Sequence, residues 1–242
     1  MPLSHQAILI TGAGGGLGST AALSLAQQGA HIILLDNNLA KLEACYDAIV
    51  AAKAKTPILY PFDLAGANED DYIELANRID EKYGALHGLL HSAVEFQAFA
   101  PIASTRIHDW GHSLTVNLHA PFMLTRVLLP VLQKSGQASV VFTSDSSSRN
   151  APAYASAYGV AKIALEGLAK ILAEEMEAGN KIRVNTLIPG AIDSPLRKRA
   201  YPAEDKSKLP KMEVMVPVYR YLFGKESIGI NGQAIDARTF YL

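Results

Sequence analysis

Short apolar runs recur along the chain, and between them lie longer stretches whose apolar residues return every three or four positions. Residues 7–10, 30–35, 56–62, 86–93, 137–143 and 182–188 hold their apolar residues in succession rather than in alternation, so each predicts a strand buried on both faces. Residues 232–236 predict a last, shorter one. Helical periodicity follows the first run at Ala21, Ala22, Leu23, Leu25 and Ala26, and again over 39–54, 68–83 (closed by Gly84) and 158–176. Residues 107–134 carry long periodic apolar stretches that Pro121 and Pro130 are expected to break. Pro57 and Pro61 confine the third strand to an edge or to its own ends. Strand-helix alternation of this kind predicts an α/β architecture, a doubly wound parallel sheet of about seven strands with helices on both faces.

Composition adds bounds. At 242 residues with 49% hydrophobic and 19% charged content, the chain can use all of 1–242 as one domain. A net charge of −1 and a pI near 6.7 give no overall attraction to nucleic acid or to an anionic membrane. No basic segment followed by an apolar run opens the chain, and no uninterrupted apolar stretch reaches about 18 residues, so the cytoplasm is the expected compartment. The one cysteine, Cys45, excludes an internal disulfide framework and reads as core packing.

The chemistry begins at residues 11–18, Thr-Gly-Ala-Gly-Gly-Gly-Leu-Gly, where the first strand turns into a helix. Gly12, Gly14, Gly15, Gly16 and Gly18 leave no Cβ between main chain and ligand and expose the free N–H groups of the new helix, a seat for a pyrophosphate. No lysine lies between Met1 and Asn38, which excludes a triphosphate P-loop. The Gly-x-Gly-x-Gly spacing of Gly12, Gly14 and Gly16 also suits a nucleoside-type methyltransferase, and that rival stays open at this point.

Asp36 ends the second strand 18 residues beyond Gly18, where a carboxylate accepts from adenosine ribose hydroxyls in a dinucleotide fold. A 2′-phosphate 4 Å away would be repelled by about 4 kcal/mol at an effective dielectric near 20. Neither Asn37 and Asn38 nor Gly14 and Gly15 bring a cation there, so NAD is favoured over NADP. Asp63, after the third strand, either accepts from an adenine amine or caps a turn. His87 and His91 share a strand face but lack a third ligand, so no metal site is expected. Tyr158 and Lys162 are helical neighbours at i and i+4, close enough for an ammonium to favour the phenolate. Beyond Ser194 the chain turns basic, with Arg197, Lys198, Arg199, Lys206, Lys208 and Lys211 around Pro202 and Pro210. Residues 194–217 suit a mobile lid whose bases either receive an acidic substrate or form a solvated face.

Taken in order, Thr11-Gly12, Gly16, Gly18, Asp63, Asn117, Tyr158, Lys162 and Pro189-Gly190 resemble the short-chain dehydrogenase/reductase family over nearly the whole chain. The resemblance separates this reading from the methyltransferase one and implies a single-domain Rossmann fold. Residues 199–205, with Lys208-Leu209, look like the bacterial YciK-type oxidoreductase branch. Asp36-Asn37 departs from the glycine-arginine pair common in that branch, again toward NAD. The resemblance implies hydride transfer between NAD and a secondary alcohol or ketone. Tyr158 would exchange the proton with the substrate oxygen, Lys162 would bind the nicotinamide ribose and depress the tyrosine pKa, and Asn117 would hold a water linking Lys162 to solvent. Leu17, Leu64, Ser92, Ala93, Pro189 and Gly190 would wall the cofactor, with Ile192 and Ser194 at its nicotinamide end. Members usually pair, so a homodimer or homotetramer is implied.

Two positions depart from the family pattern. The substrate-orienting serine, 13 residues before the tyrosine, is here Asp145, which when ionised accepts but does not donate and, if it lies within about 6 Å, opposes Lys162 by pushing the tyrosine pKa up. Strand alternation turns Ser144 and Ser146 away from its face. Val94 stands where the family has glycine and crowds the adenosine ribose. A catalytically impaired dinucleotide-binding protein of the same fold is therefore the alternative.

Overall fold

The computed structural model describes residues 2–179 and 181–240, so the outermost residues of the expected 1–242 domain lie outside it. Seven strands, β1 (Ala7–Thr11), β2 (His31–Asp36), β3 (Ile58–Pro61), β4 (Gly88–His91), β5 (Ala138–Thr143), β6 (Ile182–Ile188) and β7 (Ala234–Asp236), form one sheet in the order β3-β2-β1-β4-β5-β6-β7. Every pairing is parallel. β3 is an edge strand that ends at Pro61, as its prolines require.

The helices are α1 (Gly16–Gln27), α2 (Leu39–Ala51), α3 (Glu69–Tyr83), α4 (Ile107–Leu114), α5 (Ala120–Lys134), the short α6 (Ser147–Asn150), α7 (Ser156–Glu177), α8 (Pro195–Ala200) and α9 (Val216–Phe223). Alternation along the strands divides the core in two. Ile8, Ile10, Ile32 and Leu34 pack with α1, α2 and α9, while Ala7, Leu9, Ile33 and Leu35 pack with α3, α5 and α7. Ile8, Leu9 and Ile10 are fully buried, which explains why the strands carry apolar residues in succession. Cys45 is buried in the first of these cores, and burial carries its thiol up to about 11, so it is packing as expected.

Helix ends follow their sequence signals. Asn68 and Asp71 form a reciprocal capping box on α3, and Gly84 closes it in the left-handed conformation. One expectation fails: helix runs through both Pro121 and Pro130, and the irregularity falls instead at Thr115–His119, a π turn joining α4 to α5. The cause is local. The Asn117 side-chain amide donates to the Ser113 carbonyl at 2.9 Å, competing for the acceptor its own backbone N–H would use, and the helix widens there. Pro121, at the start of α5, falls just after this change of register, and Pro130 is on an exposed face. The whole run 107–134 is long and apolar enough to cross a membrane, yet Leu124, Leu128 and Leu132 are fully buried against the sheet.

The strand order reverses between β1 and β4, and the carboxyl ends of all the strands share one edge. In an open α/β sheet the crevice at such a reversal is where a ligand fits.

Candidate active site

A cleft of about 440 Å³ opens at that edge. Its floor is the glycine turn between β1 and α1. Gly12 has φ +65°, and a Cβ there would lie 2.6 Å from Ala93 Cα. At Gly18 a Cβ would stand 2.1 Å from the Gly12 carbonyl oxygen, so side chains at both positions would push the turn apart. The Thr11 hydroxyl accepts from the Ser92 and Ala93 N–H groups at 3.1 Å each, which ties the end of β4 to the start of the turn. Gly15, Gly16, Leu17, Ser92, Ala93 and Val94 line the cleft with them.

Asp36 is held from both sides. Its Oδ2 accepts from the Gly14 N–H at 3.1 Å and its Oδ1 from the Asn38 N–H at 3.0 Å. Gly14 thus stands behind the wall that Asp36 forms. Asn38 also caps α2 by accepting from the Lys41 N–H at 3.0 Å, and this winds Lys41 round to the cleft. A Cβ on Gly14 would meet Lys41 Cβ at 2.6 Å. The expectation that no cation accompanies Asp36 is therefore corrected: Lys41 supplies one, five residues on, through a helix cap that spacing from the strand end did not reveal. Asp63 accepts from the Ala65 N–H at 3.0 Å, capping its turn, while it and Leu64 line the adenosine end of the cleft.

At the other end, α7 presents Tyr158 and Lys162, both buried and both lining the cleft. Lys162 Nζ donates to the Thr143 carbonyl at 2.9 Å and lies 5.7 Å from the centre of the Tyr158 ring. Burial lowers Lys162 to about 8, with the nearby Asp145 carboxylate pulling the other way. Tyr158 is carried well above its ordinary value, by burial first and then by the charge and hydrogen bond of Asp145. Of the two opposed effects expected on Tyr158, the depression by Lys162 does not prevail: the phenol is a firmly held acid, because the loss of water first, and then the opposing aspartate, outweigh the ammonium.

Asp145 occupies the cleft, as its spacing implied. Ser144 does not replace the missing serine, since its hydroxyl donates to Glu166 at 2.7 Å, behind the cleft wall. Asn117 is fully buried and its side chain is committed elsewhere. It accepts from the Glu95 N–H at 3.2 Å and donates to the Glu95 carbonyl at 2.8 Å and to Ser113, with no side-chain bond to Lys162. Its visible work is to fix the β4–α4 loop. Pro189, Gly190, Ile192 and Ser194 close the nicotinamide end, with the Ser194 hydroxyl capping α8 by accepting from the Arg197 N–H at 3.1 Å.

The basic segment packs rather than dangles. Met212 and Pro195 would stand 2.5 and 3.0 Å from a Cβ on Gly16, and Met215 is fully buried. Residues that sequence alone did not single out complete this end: Phe96, Phe99, His112, Thr143 and Tyr201 line the cleft. His87 and His91 have structural partners, the Ala7 N–H and the Thr125 hydroxyl, and burial takes His91 down to about 3. Among the described residues no cluster of ligands could hold a metal.

The residues fit a dinucleotide. Ser92 and Thr143, both in the cleft lining, each carry a buried hydroxyl with no hydrogen-bond partner among the described residues, an arrangement that costs free energy in the empty protein. The glycine turn leaves main chain bare where a phosphate approaches.

Comparison with known proteins agrees with this geometry. A family model described as short chain dehydrogenase matches residues 6–205. The chain is 36% identical over 236 residues to the uncharacterized oxidoreductase YciK of Escherichia coli K12, covering 98% of this chain and 93% of that one. Among solved structures, a Pseudomonas syringae protein described as a short chain dehydrogenase superposes with a TM-score of 0.95 at 41% identity, covering 98% of this chain and 96% of its own. A Shigella flexneri 2a relative, solved as a complex with NADP, superposes at 0.94 with 35% identity and 98% coverage of both chains. With the glycine turn, Tyr158 and Lys162 gathered in one cleft of a seven-stranded parallel sheet, the chain belongs to the short-chain dehydrogenase/reductase family of oxidoreductases.

Proposed function

We propose that this protein transfers a hydride between NAD and a small ketone or the matching secondary alcohol, with residues 194–217 as the substrate lid. The observation that carries the reading is that Tyr158, Lys162 and the glycine turn of residues 12–18 line one and the same cleft. When bound, NAD supplies the hydride donor or acceptor. The chain supplies the rest. Tyr158 delivers its proton to the substrate oxygen as the carbonyl is reduced. Its raised pKa keeps it protonated at neutral pH, which suits reduction better than oxidation. Lys162, with Thr143 behind it, would meet the nicotinamide ribose, and Ser92 and Thr143 bring the spare hydroxyls. None of the relatives named above is described as a non-catalytic protein, so the impaired reading gains nothing from them.

Asp36 favours NAD through its fixed carboxylate at the ribose end. A second reading, NADP, rests on two specific observations: Lys41 beside Asp36, and the NADP complex of the Shigella flexneri relative. Parallel titrations with NADH and NADPH, followed by turnover across a panel of ketones, test both. Tighter NADH binding with NADH-dependent reduction supports the first reading, and tighter NADPH binding the second. Binding of neither contradicts both.

A further inference from the structure

Of the six bases in the lid, five have acidic partners within it or at Asp193 just before it. Arg197 donates to both oxygens of Glu204 at 2.7 Å, Lys198 and Lys211 pair with Asp193 at 3.2 and 2.8 Å, Lys206 lies 3.9 Å from Glu204, and Lys208 lies 3.7 Å from Asp205. Arg199 is the exception. Among the described residues it forms no ion pair, and it turns into the cleft with its guanidinium carbon 5.8 Å above the Phe96 ring.

What lies beneath it is aromatic. Phe96 is buried and meets Tyr158 edge to face at 5.2 Å and Phe99 at 5.0 Å, and Phe99 meets Tyr201 at 5.3 Å. This wall is anchored: the Ala100 N–H donates to the Tyr154 carbonyl at 2.9 Å, and the Thr105 and Ser156 hydroxyls bond at 2.6 Å, tying the loop to the foot of α7. From Tyr158 outward the cleft thus offers a proton donor, an apolar platform one ring wide, and a guanidinium that no carboxylate among the described residues pairs with.

We propose that the substrate is a keto acid: a carbonyl compound whose flat apolar body lies on Phe96 and Phe99 and whose carboxylate, about a ring's width from the reacting carbonyl, is received by Arg199. A planar guanidinium matches a carboxylate bidentately, and over an aromatic face it gives up less hydration than an ammonium. Asp145, at the carbonyl end, repels that carboxylate and so fixes which end of the substrate faces Tyr158. The inference rests on the oxidoreductase reading but is tested without turnover.

The test is calorimetric titration of the full-length protein, with and without saturating NAD, using 4-acetylbenzoate and its methyl ester as a charged and a neutral probe, in which the ring separates the ketone from the carboxylate. No ketone is reduced in the presence of NAD alone, so binding is read by itself. The acid is expected to bind roughly 10- to 100-fold more tightly than the ester, and Arg199→Ala to bring the ratio toward one. Arg199→Lys should restore part of the ratio, because charge returns without the planar fork, and Arg199→Glu should reverse it. An acid-to-ester ratio near one in the unmodified protein overturns the proposal, as does a ratio untouched by all three substitutions. Selective acid binding that depends on Arg199, in a protein that reduces no carbonyl with NADH, upholds the anion site while counting against the oxidoreductase reading.

Discussion

Tyr158 and Asp145 line the same cleft, and the Asp145 carboxylate adds to burial in holding the phenol protonated. Where a serine would donate to the substrate alongside the tyrosine, this chain has an acceptor that engages the tyrosine itself. A substrate oxygen therefore competes with Asp145 for the Tyr158 proton. The pair explains why the phenol is held protonated, and it gives the pH dependence a definite sign.

Replacing Asp145→Ser removes the second and third causes of the raised Tyr158 pKa and leaves burial, the first. The tyrosine then ionises at lower pH. Alcohol oxidation, which needs the phenolate, should begin its alkaline rise at lower pH than in the unmodified protein. Ketone reduction, which needs the phenol, should lose activity at lower pH. Steady-state pH profiles in both directions check this, and unchanged profiles would remove Asp145 from the reacting centre.

Lys162 predicts a stability effect of its own. Its folded-state pKa of about 8 lies below the ordinary value of 10.5, so across that window the unfolded chain holds a proton that the native chain has released. Stability attributable to this group therefore rises with pH over the window and is penalised below it. Relative to Lys162→Met, which has no such titration, the unmodified protein should gain on the order of 3 kcal/mol between about pH 8 and pH 10.5. Urea unfolding of both proteins across that range measures the difference, and a pH-independent difference would refute it.

Gly12→Ala tests the turn. The left-handed φ costs an alanine about 1–2 kcal/mol, and its Cβ would overlap Ala93. Reduced unfolding free energy together with at least tenfold weaker NADH binding is expected. A variant that keeps both would mean that the turn does not seat the cofactor.

Asp36→Ser and Lys41→Ala should move cofactor choice in opposite directions. Losing the carboxylate removes repulsion from a 2′-phosphate, so NADPH affinity rises relative to NADH by roughly tenfold or more. Losing Lys41 removes the nearby cation, so NADPH affinity falls while NADH changes little. Fluorescence titration of both variants with both nucleotides gives the ratios directly.

How far the sequence reached follows from the range of each signal. The glycine turn, Asp36, Asp145, Tyr158 and Lys162 were legible because one strand, one turn or one helical repeat fixes where they lie. The strands were legible because burial on both faces forces continuous apolar runs, with only their ends misjudged, as at β3, which shrinks to Ile58–Pro61. Lys41 was missed because a helix cap swings it back toward the glycine turn. Arg199 was named among the lid bases, but Phe96, and which of those bases turns into the cleft, were missed because the two residues meet across 103 residues of chain. The upward push of Asp145 on Tyr158 was legible from its spacing, but the larger share, burial, was missed because it is a tertiary quantity. Asn117 was found, but its bonds to Glu95 and the π turn it induces depend on a loop whose path no local pattern fixed.

The account stands on the phenol of α7 acting on a substrate beside a dinucleotide seated by the first turn. The most direct measurement compares Tyr158→Phe with the unmodified protein in two readouts, NADH affinity by fluorescence and single-turnover NADH oxidation by a ketone the protein accepts. Affinity within a few-fold, with oxidation slowed by roughly 10²- to 10⁴-fold, is the predicted result. Equal oxidation rates in the two proteins would contradict it.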